Sequence, residues 1–366
     1  MQRLITLLLV LATISGCRGN DSPTVAAEAA PPERPRPRNV IVVIADGLGV
    51  AHVSGMRIDA DSPINVERMP VVGLHYTWSS NDIVTDSAAA GTALATGRST
   101  NNGMISVDPE TGENFETALE VARARGWSAG LVTTTTVSDA TTASFGAHAV
   151  SRAEESAIAA QFVTAGIELL VGSTEDGVFD QLLDAEDPLS SPAAKADLAG
   201  YAFLTSVEDL STTDAARVIL LFEPTENDTD FAEVSLPQLT TAAIEFLSRD
   251  PDGFFLVIES EGTDTASHNN VTEDVIASLR SINESLGIAL DFAERTGDTL
   301  VLFTGDHETS GLTLVDAGDG AIVWTWASGN HTATAIPIFA SGPGAEDFGG
   351  IGSNVRIGQA LIDLIR

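Results

Sequence analysis

Asn39-Val40-Ile41-Val42-Val43-Ile44-Ala45-Asp46-Gly47-Leu48-Gly49 is the stretch on which the fold turns. An apolar run without polar alternation is buried on both faces, as in a parallel sheet. It ends in an acid and glycines, and the C-terminal ends of such strands are where α/β folds place ligand groups. The pattern recurs three times. Gly130-Leu131-Val132-Thr133-Thr134-Thr135 leads to Asp139, Gly253-Phe254-Phe255-Leu256-Val257-Ile258 to Glu259, and Thr299-Leu300-Val301-Leu302-Phe303-Thr304 to Asp306-His307. A shorter run, residues 167–172, predicts another strand. Helical patterns lie between, over Glu113–Arg125, Arg152–Thr164, Leu239–Ser248 and Thr272–Arg295. Alternating strands and helices predict a three-layer α/β/α sandwich around a large, mostly parallel sheet. Each acid alone reads better as a helix cap or a solvated turn. Four together predict convergence along one edge of the sheet.

Downstream of the first strand, Thr85-Asp86-Ser87-Ala88-Ala89-Ala90-Gly91-Thr92-Ala93 sets a serine between an acid and a run of small helix formers. The plain reading is an N-cap at Asp86 or Ser87. The chemical reading is a hydroxyl at a helix N-terminus, where backbone N–H groups stabilise a reacting anion. Further on, Asp264-Thr265-Ala266-Ser267-His268 sets a carboxylate and an imidazole four apart, on one side if helical, so that a Zn²⁺ could take both. A surface polar pair is the competing reading. Asp306-His307 can meet a metal in the loop after its strand. His331 lies in the small-residue loop Ser328-Gly329-Asn330-His331-Thr332, ahead of strand-like residues 335–340. The chain has six histidines, and His52, His75 and His148 read as structural or surface residues.

The 366 residues carry a net charge of −34, with Lys195 the single lysine. That surface disfavours nucleic acid and anionic membranes as partners. An anionic substrate would need strong local positive charge. Met1-Gln2-Arg3, an apolar run and Ile14-Ser15-Gly16-Cys17 read as a signal peptide ending in a lipobox, with Cys17 the lipidated residue. A cleaved soluble signal peptide is the alternative. Cys17 is the only cysteine, so no intramolecular disulfide can form. Residues 18–38, rich in Pro, Ala and Arg, read as a tether to a catalytic domain over 39–366.

From Asn39 to the C-terminus the chain resembles the alkaline phosphatases, zinc- and magnesium-dependent phosphomonoesterases with a serine nucleophile. The landmarks run in the family's order: Asn39-Val40-Ile41 through Asp46-Gly47-Leu48-Gly49; Thr85-Asp86-Ser87-Ala88-Ala89; Asp139-Ala140-Thr141 with Arg152; Glu259 with Asp264 and His268; Thr304-Gly305-Asp306-His307-Glu308-Thr309; His331; and Ile336-Pro337-Ile338-Phe339-Ala340-Ser341-Gly342-Pro343-Gly344-Ala345. The resemblance implies Ser87 as nucleophile and Arg152 as phosphate clamp. It implies one Zn²⁺ on Asp264, His268 and His331, and a second on Asp46, Asp306 and His307. A Mg²⁺ would sit on Asp46, Thr141 and Glu259, with Asp139 acting through water. The implied reaction forms a phosphoserine at Ser87 and releases inorganic phosphate and an alcohol. The N-terminal segment, not the resemblance, sets the expected location: periplasm or cell surface with the lipid anchor as the membrane contact, or soluble in the periplasm or secreted. A homodimer stays open.

Three features depart from that pattern. Thr265 stands where many relatives carry Lys or Trp. Glu259-Ser260-Glu261-Gly262 offers a second glutamate; Glu261 rivals Glu259, and spacing to Asp264 favours Glu259. The interval from His307 to His331 is short, so an accessory crown insertion should be reduced or absent. A phosphodiesterase or sulfatase of the same superfamily, or a non-catalytic phosphate- or metal-binding lipoprotein, is the alternative. Ser87 with Arg152 favours monoesters. A complete ligand set argues against a non-catalytic protein.

Overall fold

Asn39–Ala45 forms strand β1, buried along its whole length. Val40, Val42 and Ile44 enter one hydrophobic core, and Ile41, Val43 and Ala45 enter another. The unbroken apolar run is therefore used on both faces. The structure is a computed structural model. It describes residues 35–174, 198, 200–204, 206–225, 229–231, 234–318 and 320–366, and Pro35–Arg366 is one compact unit. The expected signal segment with Cys17, and the tether up to residue 34, lie outside the described residues.

The next strands are β2 (Val71–Tyr76), β3 (Ser128–Val132), β4 (Leu169–Ser173), β5 (Ala202–Leu204), β6 (Val218–Phe222), β7 (Phe254–Ser260) and β8 (Thr299–Thr304). After them come β9 (Glu308–Thr309), β10 (Thr313–Asp316), β11 (Ile322–Thr325), β12 (His331–Thr332), β13 (Ile336–Ser341) and β14 (Gly350–Ser353). Ten of these form one sheet in the order β14-β2-β13-β8-β1-β7-β3-β4-β6-β5. Its pairings are parallel except those of β13 with β8 and β2. β9 pairs with β12 and β10 with β11 as short antiparallel ribbons, which occupy the interval between His307 and His331.

Helices cover both faces: α1 (Val50–Asp59), α2 (Ser87–Thr96), α3 (Ala118–Ala124), α4 (Ala140–Gly146), α5 (Glu155–Ala165), α6 (Val207–Thr212), α7 (Leu236–Leu247), α8 (Gly262–His268), α9 (Thr272–Thr296) and α10 (Asn354–Ile365). Helices α2 to α5 and α10 share the core of Val40 and Ile44. Helices α1, α6, α7 and α9 share that of Ile41 and Val43. This is the expected three-layer sandwich. Burying one Ile or Val side chain contributes about 1.5–3 kcal/mol, so the central strands anchor the fold. Among the described residues no helix is long and apolar enough to cross a membrane.

Boundaries shift where caps decide them. α3 starts at Ala118, not Glu113, because Thr117 Oγ1 accepts from the Glu120 N–H while Glu120 Oε2 accepts from the Thr117 N–H. α7 starts earlier than its apolar period, at Leu236, with Pro237 in its first turn. β2, β6 and β14 were not anticipated. β2 is only half-buried, β14 is an exposed glycine-containing edge, and β6 is a five-residue apolar run that periodicity does not separate from a helix.

The expected convergence holds. β8, β1, β7 and β3 are adjacent and parallel, and Ile44 stands opposite both Glu259 and Thr304. The acids that end these strands meet at one edge.

Candidate metal-dependent active site

Ser87 is the first residue of α2, a helix buried along its whole length. Asp86 is the N-cap: its Oδ1 accepts from the Ala89 N–H at 3.0 Å and its Oδ2 from the Gly103 N–H at 2.9 Å. These bonds fix how Ser87 leaves the helix. Ser87 is 5% exposed, and its Oγ lies 3.2 Å from His307 Nε2.

The three candidate histidine ligands follow one logic. His268 Nδ1 lies 2.8 Å from the Gly329 carbonyl, and His331 Nδ1 lies 2.9 Å from the Thr85 carbonyl. A carbonyl only accepts, so both Nδ1 atoms carry the proton and both Nε2 atoms, when neutral, carry lone pairs. Those Nε2 atoms face each other at 3.1 Å, and Asp264 Oδ2 lies 3.1 Å from that of His268. Two imidazole nitrogens and a carboxylate at that range suit one shared cation, a proton or a metal ion. α8 delivers Asp264 and His268 one turn apart, as the four-residue spacing predicts. His307 repeats the pattern. Thr309 Oγ1 donates to Asp264 Oδ1 and lies 3.3 Å from His307 Nδ1, which can donate to it. His307 Nε2 then faces Asp306 Oδ2 at 3.2 Å and Asp46 Oδ1 at 3.4 Å. Single ligand atoms of Asp46, Asp306 and His307, and of Asp264, His307 and His331, lie within 4.8 Å of one another. The second grouping draws His307 towards the site expected on Asp264, His268 and His331, and its ring stacks on His331 with centroids 3.6 Å apart.

A third grouping is all oxygen: Asp46, Glu259 and Glu261, again within 4.8 Å. Thr141, buried in α4, places Oγ1 3.5 Å from Asp46 Oδ2. Asp139, the residue before α4, accepts from Arg152 Nη2 at 2.8 Å, and Arg152 Nη1 lies 3.5 Å from Asp86 Oδ2. The guanidinium thus bridges the Ser87 end of the site to its acidic end.

Burial pushes the Asp46 and Glu261 carboxyls well up and that of Glu259 to about 8; neighbouring carboxylates add to all three, and the Thr133 and Thr141 hydroxyls only partly offset this for Glu259. Burial opposes the charge on Asp264 too, but His268, His307 and His331 hold its carboxyl below the usual range. The Asp264 hydrogen bond lifts His268 to about 9, while burial lowers His307. Burial also opposes the Arg152 charge, but Asp139 and Asp86 hold its pKa above the ordinary arginine value. Both oxygens of Glu259, Asp46 Oδ1, Asp306 Oδ2 and Glu261 Oε2 are buried with no hydrogen-bond partner. Buried acceptors without donors cost several kcal/mol unless a cation meets them. The residues therefore fit resident metal ions, with imidazole at two positions and oxygen alone at the third.

Every expected residue of the folded domain reaches this edge. His52 and His75 do not act as ligands. His52 is buried between the Gly49 N–H and Ser267 Oγ, and His75 bonds Thr304 Oγ1. His148 pairs with Glu120 on the helical side. Three contributors went unread. Thr309 had no signal beyond following His307. The Thr85 and Gly329 carbonyls orient imidazoles, and backbone groups carry no sequence signature.

The alkaline phosphatase family profile matches residues 37–185 and 191–325. Alkaline phosphatase 4 of Bacillus subtilis (strain 168) is 32% identical over 315 residues, covering 81% of this chain and 67% of that protein. Among solved structures, alkaline phosphatase from the Antarctic bacterium TAB5 superposes with a TM-score of 0.80 at 29% identity, covering 91% of this chain and 99% of that one. A mutant of the TAB5 enzyme, solved with Mg bound in its M3 site, gives a TM-score of 0.81 at 30% identity with the same coverage. A profile match over well more than half of the chain, joined to likeness across the whole fold, makes this protein a member of the alkaline phosphatase family.

Proposed function

We propose that this chain is an exported phosphatase that hydrolyses phosphate monoesters through a phosphoserine at Ser87, releasing an alcohol and inorganic phosphate. One observation carries the reading: beside Ser87 Oγ, imidazole lone pairs converge with buried carboxylate oxygens that no donor satisfies. Asp264, His268 and His331 would hold one Zn²⁺, and Asp46, Asp306 and His307 another. Asp46, Thr141 and Glu259 would hold Mg²⁺, with Asp139 acting through water. Bound there, these cations lower the pKa of the Ser87 hydroxyl and of water and stabilise the departing oxygen.

The chain's own residues do the rest. Asp86 and α2 hold Ser87 Oγ at the positive end of the helix dipole, which favours a developing anion. Ser87 Oγ attacks phosphorus, the ester P–O bond breaks, and the alcohol leaves with the electron pair and takes up a proton. Water then attacks the phosphoserine, and the P–O bond to Ser87 breaks to return the hydroxyl. Arg152, kept in reach by Asp86 and Asp139, would turn its fork onto two phosphate oxygens. That guanidinium and the cations would form a positive island in a chain of net charge −34.

The test is hydrolysis of an aryl phosphate at alkaline pH by the purified chain supplied with Zn²⁺ and Mg²⁺. Acid quenching should trap phosphate on the Ser87 peptide, and Ser87→Ala should lose both signals while keeping its zinc. No hydrolysis with Ser87 intact would refute the proposal. Export rests on the segment ending at Cys17; Cys17→Ser should move the protein from the membrane fraction to the soluble one.

A further inference from the structure

Glu259 and Glu261 flank Ser260 where β7 passes into α8. The strand ends at Ser260 and Glu261 already has helical backbone angles, and across that turn both carboxylates reach Asp46. Glu261 is held at three points. Its N–H donates to Thr134 Oγ1 at 3.1 Å, its own carbonyl accepts from the Asp264 N–H at 2.9 Å, and Thr265 Oγ1, one turn into α8, donates to its Oε1 at 3.3 Å. The remaining oxygen, Oε2, is buried and has no hydrogen-bond partner. Glu259 is 0% exposed, and its two oxygens, with only the Thr133 and Thr141 hydroxyls near, have no hydrogen-bond partner of good geometry. Three unpaired acceptor oxygens on Glu259 and Glu261 thus lie buried beside Asp46. A carboxylate kept for structure would be matched by a basic side chain, but Arg152 is engaged with Asp139 and Asp86. Oxygen alone, with no imidazole, suits a hard divalent cation.

We propose that Glu261 is a ligand of the oxygen-lined cation site, beside Asp46, Glu259 and Thr141, and that Thr265 is its positioning residue. The inference rests on the metal-dependent reading above and adds to it a carboxylate that spacing alone treats as a rival of Glu259. The charge count agrees. Asp46, Asp139, Glu259, Glu261, Asp264 and Asp306 supply six formal negative charges, which three divalent cations neutralise. Asp86, the seventh carboxylate of the site, is matched by Arg152. A carboxylate in place of a water ligand tightens the site, because affinity of such sites follows ligand charge.

The experiment is calorimetric titration of Mg²⁺ into the zinc-loaded full chain, with elemental analysis of bound zinc. Wild type should take up one Mg²⁺ per chain. Glu261→Gln keeps the shape and removes the charge; it should weaken Mg²⁺ binding at least about tenfold and leave zinc unchanged. Thr265→Val, which loses only the positioning hydroxyl, should weaken it by a smaller factor than Glu261→Gln, at or below the roughly tenfold lower end for outer-shell partners. If Glu261→Gln does not fold, Glu261→Asp, whose shorter stem draws the carboxylate back, is read the same way. Mg²⁺ affinity within twofold of wild type in the folded Glu261 variant overturns the inference and leaves the phosphatase proposal standing. Weakened Mg²⁺ binding together with a wild type that hydrolyses no phosphate ester supports the inference and overturns that proposal.

Discussion

Arg152 shows how one residue's contacts define its task. Its guanidinium touches Asp139 and Asp86, so the arginine is held, charged, between Ser87 and the acidic cluster. A charge-assisted bond contributes about 1.5–3 kcal/mol. Arg152→Ala should therefore lower kcat/KM for an aryl monoester by roughly 10–100-fold. A diester, with one fewer negative charge to clamp, should change far less. Equal losses on both substrates would remove Arg152 from phosphate recognition. At this scale the sequence was readable where a side chain itself is the candidate ligand. Asp46, Asp306 and His307 follow buried strands, and Asp264 and His268 have helical spacing. It was silent where a backbone carbonyl sets a tautomer, as for His268 and His331, because any residue supplies that group.

Among the elements, α2 matters most, because it carries Ser87 and is packed from several sides. α10 lies against it so closely that a Cβ on Gly358 would meet the Ala93 carbonyl at 2.2 Å and the Gly97 N–H at 2.5 Å. Alanine is the better helix former, yet Gly358→Ala should destabilise by about 1–3 kcal/mol, because backbone has nowhere to move. Denaturant unfolding checks this, and a neutral or stabilising result would refute the packing argument. β2 and β8 flank β13 and are tied across it by His75, whose Nε2 lies 2.8 Å from Thr304 Oγ1. Burial lowers the His75 pKa from 6.5 to about 3, so the folded imidazole is neutral. Between those values the unfolded chain binds a proton that the folded chain refuses. Stability therefore falls with pH below about 6.5, by up to about 1.4 kcal/mol per unit from this residue. His75→Leu should be the less stable protein at pH 7, and the gap should narrow towards pH 5 in urea titrations. A constant gap would mean that His75 does not resist protonation.

For the whole molecule, a net charge of −34 and a buried carboxylate cluster oppose folding unless ions intervene. Removing metal with a chelator should lower the Tm by roughly 5–10 °C, with recovery on adding Zn²⁺ and Mg²⁺. Raising NaCl to about 1 M should raise the Tm of the metal-loaded protein, because the Debye length falls to about 3 Å and self-repulsion is screened. A Tm indifferent to chelation would show that the cluster is stable without cations. The sequence by itself determined the sandwich class, because unbroken apolar strands alternating with helices can be buried in few other ways. It also determined which strands end in candidate ligand groups, since those are local facts of composition and spacing. Only the tertiary structure decided that β8, β1, β7 and β3 lie side by side, so that acids more than 250 positions apart meet, as Asp46 and Asp306 do. It alone decided that Glu259 and Glu261 reach the same point as Asp46, because that depends on the register of β7 against β1 and on the turn into α8. Sheet order and register are set by the packing of distant side chains in two cores, and no window of sequence contains both partners.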